Sequence, residues 1–326
     1  MAKQRLKSSF IYLANAVGDL RGNWLNLAAV LAPLIVLTAI CLLPEALNLQ
    51  HRLASSLGGG ATTVGYYPAQ EPYHPAAKPS PAPYPEWLIY TMRGAGLLIT
   101  VVAGLLVLVE MKRIHTGERA PGLIAETINV YASAARLFLA YLWITILQFL
   151  APAIAGAAIG FGIRTDYPVV SLLVSILRVG LLVGAGIVYM WLYFAEYALV
   201  FDGQRSFHSL LFSRDLMRKR FFTVAARITV FLALWWGYNS WAAGAFVVAS
   251  VLLGPVVMVT GVVSTIVIAL NLAWLTISFA TSAFFIAAEI RMYQDLTAIA
   301  RESGFTFANS PLAPEPVTVP LSGARA

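Results

Sequence analysis

Asp202, Ser206 and His208, three side chains of the kind that make a nucleophilic triad, stand within seven positions of one another. A serine becomes a nucleophile when a base is held against it, most recognisably on a G-x-S-x-G elbow between strand and helix. No such elbow occurs here, and any polar loop offers the same letters. The four histidines, His51, His74, His115 and His208, have no second histidine or cysteine at metal-ligand spacing, and neither HExxH nor H-x-E is present. Gly94 and Gly96 lack the strand, glycine loop and helix that cradle a phosphate. Together with Gly180, Gly184 and Gly186 they read as sites of close helix approach. The expectation is a protein without a catalytic set, a metal or a cofactor, and not an enzyme.

The better-placed polar residues lie inside apolar sequence. Arg93 and Arg178 each interrupt an otherwise uncharged run, and Asn271 sits at a matching distance before a glutamate. A charge at the depth of a membrane costs about 2.5–3.5 kcal/mol on insertion scales, so it faces a partner, a wet cavity or the headgroups. Two readings stay open: the arginines snorkel to the outer headgroups, or they converge with Asn271 and bind an anionic headgroup or solute. A second set is Glu110, Glu196 and Glu289, which close the apolar runs LVLVE, WLYFAE and FIAAE. A helical wheel of Ser206 to Phe222 sets Phe207, Leu210, Leu211, Met217, Phe221 and Phe222 on one broad face, with Arg214 and Arg218 in its middle. Those arginines either meet one of the three glutamates as charge-assisted pairs or reach lipid phosphate.

The elements that must position these residues follow from composition. The chain has 326 residues, 59% of them hydrophobic and 11% charged, with a mean hydropathy of +0.76. No soluble core covers that much apolar surface. A membrane span needs about 20 apolar residues. Gly22 to Pro44, Leu137 to Ile163 and Ile228 to Ala288 carry no charge; the last is long enough for two spans, with the break expected at Gly254-Pro255. Trp87 to Val109 and Val169 to Ala195 carry one arginine each, which makes six spans. The first run is too long for a cleaved signal and lacks a cleavage pattern, so it reads as a retained span. Cys41, the sole cysteine, lies within it and reads as packing.

Seventeen of the 22 lysines and arginines fall on one side of a six-span model, three (Arg52, Lys78 and Arg164) on the other, and two inside. Retention of basic flanks in the cytoplasm puts both termini there. The pI near 9.6 then reports topology and attraction to anionic headgroups, with no need for nucleic acid. Residues 1–23 read as a cytoplasmic amphipathic segment, 24–300 as the six-span domain and 301–326 as a disordered tail. Within the domain, residues 46–86 read as an outer loop. Its seven prolines from Pro68 to Pro85, interleaved with tyrosines, predict polyproline II. Positions 66–85 are a candidate docking segment for a protein partner, and a homo-oligomer stays open.

A threefold plan runs through the chain. Each unit is a polar segment, a span, an outer loop and a span closing on glutamate, with Gly117 and Gly203 each seven residues beyond the first two glutamates. The polar segments end in an arginine followed by an aromatic: Arg21 with Trp24, Arg136 with Phe138, Arg220 with Phe222. Leu6, Phe10, Leu13, Val17, Leu20 and Trp24 form a helical stripe. Each segment reads as an amphipathic helix in the headgroup region. The predicted fold is all-α: six membrane helices in three hairpins, each preceded by a cytoplasmic amphipathic helix.

The segment GQRSFHSLLFSRDLMRKRFFTVAARI, preceded by YALVFD, and the closing EIRMYQDL with Tyr293, Asp295 and Leu296 together resemble a known family. It is the membrane-domain superfamily of bacterial glycerophosphodiester phosphodiesterases, with its YciC-like six-span inner-membrane proteins. The likeness covers roughly residues 8–300, with the Pro/Tyr insertion as a departure, and no phosphodiesterase domain accompanies it. It therefore implies a fold and an inner-membrane location and carries no activity. The function expected is non-catalytic membrane or envelope organisation with anionic-lipid binding, the alternative being a small-solute or lipid transporter or channel.

Overall fold

A computed structural model describes residues 6–58, 84–118, 120–160, 167–218, 220–260 and 263–302. Among them helix is the only regular element. In chain order the helices are α1 (Ser9–Arg21), α2 (Trp24–Gly58), α3 (Glu86–Thr116), α4 (Leu123–Gly160), α5 (Pro168–Leu192), α6 (Ala195–Phe201), α7 (Ser206–Arg218), α8 (Phe221–Thr260) and α9 (Val263–Glu302). Six stretches are long and apolar enough to cross a membrane: Trp24–Glu45, Glu86–Thr116, Leu123–Gly160, Val169–Phe201, Phe221–Ala242 and Leu272–Glu302. Where no water reaches the backbone, helices satisfy every internal N–H and C=O. That is why uncharged runs rich in Leu, Ala, Val and Ile take this one form.

Several boundaries differ from the expectation. Residues 46–58 continue α2, because ALNLQHRLASSL contains no breaker before the glycines at 58–60. The rest of the Pro/Tyr segment and the tail from 303 onward lie outside the described residues. Helix α8 runs through Gly254-Pro255 to Thr260, so the break falls later. Proline is tolerated within membrane helices when neighbouring groups re-satisfy the freed carbonyl, and α2 likewise passes through Pro33 and Pro44. The second amphipathic segment is no separate helix: α4 runs from Leu123 straight into its span, since Arg136-Leu137-Phe138 holds no breaker. The first segment does end, at Gly22 and Asn23, where the Asn23 amide donates to Asp19 O (2.6 Å).

The chain divides into two compact units. One comprises Met1–Asn23, Leu108–Leu232 and Phe284–Ala326; the other, Trp24–Val107 and Ala233–Ala283. In the first, α4, α5, α6 and α7 pack on one another. Its buried aromatics form a chain of tilted and edge-on contacts, Tyr189 to Tyr193 to Phe194 to Tyr197, with Tyr293 against both Phe194 and Tyr197. Between membrane helices lipid is as apolar as protein, so dispersion and ring geometry, not water exclusion, supply the attraction, at about 0.5–1.5 kcal/mol per ring pair. The α3–α4 turn is closed by buried Glu126. Its carboxylate takes two bonds from Arg113 (2.7 and 3.0 Å) and one from the Ala120 N–H (2.6 Å). Gly117 ends α3 with φ 73°, and the Glu118 N–H folds back to Arg113 O, the hydrogen-bond pattern of a Schellman cap. Gly203, its counterpart in the repeat plan, has φ 64°. The third unit has no such glycine, and α9 continues past Glu289.

In the other unit, α2 and the start of α3 are joined twice. The Asn48 amide donates to Tyr84 O (2.9 Å) and its carbonyl accepts the Tyr84 N–H (3.0 Å). Closer to the middle of the sequence span, the Arg93 guanidinium forms a two-point pair with Glu45, its Nε 2.8 Å from Oε2.

Candidate functional site

The fourth span is interrupted. Helix α5 stops at Leu192 and α6 begins at Ala195, leaving Tyr193 and Phe194 as a turn. Neither glycine nor proline causes this; side chains from two neighbouring helices hold it open. On α7 the fully buried Ser213 donates its hydroxyl to Trp191 O (2.7 Å) and accepts the Phe194 N–H (3.0 Å). On α4 the buried Gln148 amide donates to Leu192 O (2.7 Å) and Tyr193 O (3.4 Å). Helix α7 can approach this closely because its inward stripe includes two serines, Ser209 and Ser213, among Leu210, Phe212, Leu216 and Met217.

Around the interruption the structure gathers carboxylates and phenols. Glu289 of α9 is buried, and each of its oxygens takes a tyrosine hydroxyl: Oε1 from Tyr193 (2.5 Å) and Oε2 from Tyr197. Glu196, in the first turn of α6 and half-buried, accepts the Thr145 hydroxyl (2.7 Å). One and a half turns further on, Tyr293 donates to Asp202, which also lies 3.6 Å from the Arg301 guanidinium. The donors to Glu196 and Glu289 are neutral hydroxyls, and among the described residues neither forms an ion pair. Glu110 is fully buried on α3. Glu110 and Glu289 are thus not at helix ends, as their positions in the sequence suggested, since α3 and α9 run on for more than a turn beyond them, whereas Glu196 lies in the first turn of α6.

Arg214 and Arg218 do not reach these glutamates. Both are exposed, and Arg214 pairs with its neighbour Asp215 (3.1 and 3.2 Å). The wheel put them mid-face because it counted Phe207 and Phe222 as inward. Those rings are 67% and 86% exposed, and the serines are what turn inward. The outer side of α7 therefore carries Phe207, Arg214 and Arg218 together. Arg93 meets Glu45, a partner that sequence reading passed over. Arg178, on α5, is half-buried and forms no ion pair among the described residues, and the side chain of Asn271 lies outside them. The glycines at 94, 96, 180, 184 and 186 have open space where a Cβ would stand, so they serve no close approach among the described residues. Of the triad letters, Asp202 is engaged by Tyr293 and Arg301, and the Ser206 carbonyl caps the turn for the Ser209 hydroxyl (2.7 Å).

Sequence reading missed Thr145, Gln148, Tyr193, Tyr197 and Ser213. Gln148 was the visible signal: a lone amide in the uncharged run from Leu137 to Ile163 must find a partner in the membrane. No family model, curated protein or solved structure matches the chain. Its fold defines it as an all-α, multi-pass membrane protein with six helices able to span the bilayer.

Proposed function

We propose that the chain is a non-catalytic protein of the bacterial inner membrane, with both termini in the cytoplasm, that binds anionic lipid and acts in envelope organisation. The six-span family resemblance implies the fold and the inner-membrane location. One observation carries the reading: on α7, two arginines and an exposed aromatic share the side turned away from the protein. Phe207 suits the acyl boundary while Arg214 and Arg218 suit phosphate. Arg21 and Arg136, also exposed, give the other two polar segments the same character. The distribution of basic residues supports the orientation.

The test is phospholipid retained by the purified, detergent-washed protein. Arg214→Ala with Arg218→Ala should lower anionic phospholipid several-fold and leave zwitterionic phospholipid unchanged. Equal retention would remove the proposal, and a matching loss with Arg93→Ala plus Arg178→Ala would move the binding to the span interior.

A second reading, a small-solute transporter or channel, is favoured by the interrupted fourth span with carboxylates beside it. Discontinuous helices and intramembrane ionisable groups mark substrate paths in transporters. Solute flux in proteoliposomes, abolished by Glu289→Gln, would put this reading first.

A further inference from the structure

Helix α1 is attached by its charges more than by its apolar surface. Of its thirteen residues only Ser9, Tyr12 and Ala16 are buried, while Phe10, Ile11 and Val17 are 71%, 46% and 55% exposed. Its fully buried side chains are thus a serine, a tyrosine and an alanine, with Leu13 and Leu20 half-buried.

The attachments sit at its two ends. At the start, Arg227 of α8 donates Nε to Lys7 O (2.8 Å) and Nη2 to Leu6 O (3.0 Å). The Lys7 N–H donates to the Tyr12 hydroxyl (3.2 Å), which in turn donates to Asp295 Oδ2 on α9 (3.0 Å). The Lys7 ammonium stands 3.4 Å from that same oxygen. At the far end Asp19 receives two bonds from Arg291 of α9 (2.8 and 2.5 Å), and the His115 ring lies 3.9 Å away on α3. All these groups belong to one compact unit. Along α9, Arg291 and Asp295 are one turn apart, as are Glu289 and Tyr293 on a different side. The helix thus carries the α1 attachments and the carboxylate–phenol cluster on separate faces.

We propose that α1 is an ionic latch: it docks as a separable strap that ties α8 to α9, and it can leave without the α4–α7 core unfolding. Partly exposed ion pairs weaken as salt screens them, whereas packed apolar contacts do not. A segment with little apolar burial opens at a lower free energy than the unit it rests on. The inference is independent of lipid binding, because every group that makes the latch is protein.

Hydrogen exchange on the full-length protein in zwitterionic detergent tests it. Raising the salt to about 1 M, where screening acts within ~3 Å, should speed exchange of the α1 amides on the order of tenfold, the sum of a few weak pairs. Asp19→Asn with Asp295→Asn should do the same at low salt, with α4–α7 unchanged. Exchanging partners, Asp19→Arg with Arg291→Asp, should restore protection relative to Arg291→Asp alone. The latch is refuted if α1 exchanges at one rate in all these conditions, and equally if it opens only in step with α4–α7.

Discussion

Removing one hydroxyl should test how the interrupted span is held. In Ser213→Ala the Trp191 carbonyl and the Phe194 N–H both lose their partner in a site where Ser213 itself is fully buried. A buried backbone group left unpaired costs about 1–3 kcal/mol. Two such groups set an upper range near 2–6 kcal/mol, and local relaxation of the turn onto remaining donors and acceptors brings the expected loss to about 2 kcal/mol. Ser209→Ala is the matched control. Ser209 is equally buried on the same stripe, but its hydroxyl returns to Ser206 O within its own helix, so its loss orphans no backbone group at the interruption and should cost below about 1 kcal/mol. The assay is unfolding in mixed micelles, read by tyrosine and tryptophan fluorescence, with hydrogen exchange at residues 191–196. Greater exchange there should accompany the stability loss. Equal effects of the two alanines would refute the reasoning, as would a Ser213→Ala protein whose 191–196 amides become better protected because α5 and α6 have fused.

Three other outcomes are expected. Glu45→Ala should lower the melting temperature in detergent by leaving Arg93 without its two-point partner, and the exchanged pair Glu45→Arg, Arg93→Glu should recover much of it; no recovery would mean that position, not charge, matters. Burial, and then the neighbouring Asp295, push the Tyr12 phenol above its ordinary range, so its docking contribution is complete below the normal tyrosine pKa and is lost as pH climbs through the raised one. Tyr12→Phe should therefore lessen the alkaline release of α1 seen by hydrogen exchange, with Lys7, Arg227 and Asp295 as the charged groups facing it. Finally, Gly117→Ala and Gly203→Ala, forced to hold positive φ, should each cost about 1–2 kcal/mol, while Gly22→Ala, at φ −80°, should be close to neutral in the same melting assay.

Span number and the arginine-rich segments were legible because charge and hydropathy act over whole windows. The local errors share one cause: apolarity was taken as the mark of an inward face. In a membrane protein the outside is also apolar, so Phe207 and Phe222 face outward and the small hydroxyls Ser209 and Ser213 face in. For α1 the stripe through Phe10 and Val17, read as facing the headgroups, is exposed, while Tyr12, its buried ring, went unnamed. The interruption at Tyr193-Phe194 left no local mark, since its cause is Ser213 and Gln148, 19 and 45 residues away in sequence. Glu45 was passed over because it stands at the end of an uncharged run, where a lone acid reads as a boundary and not as the partner of Arg93.

The pairing of Asn48 with Tyr84 has a consequence for how the protein can be modified. It ties the chain together on either side of residues 49–83. Closing a loop costs only about 0.6 kcal/mol more for each doubling of its length. A tag or reporter inserted between positions 59 and 83 should therefore leave the Asn48–Tyr84 pairing, and the melting temperature that reports it, unchanged.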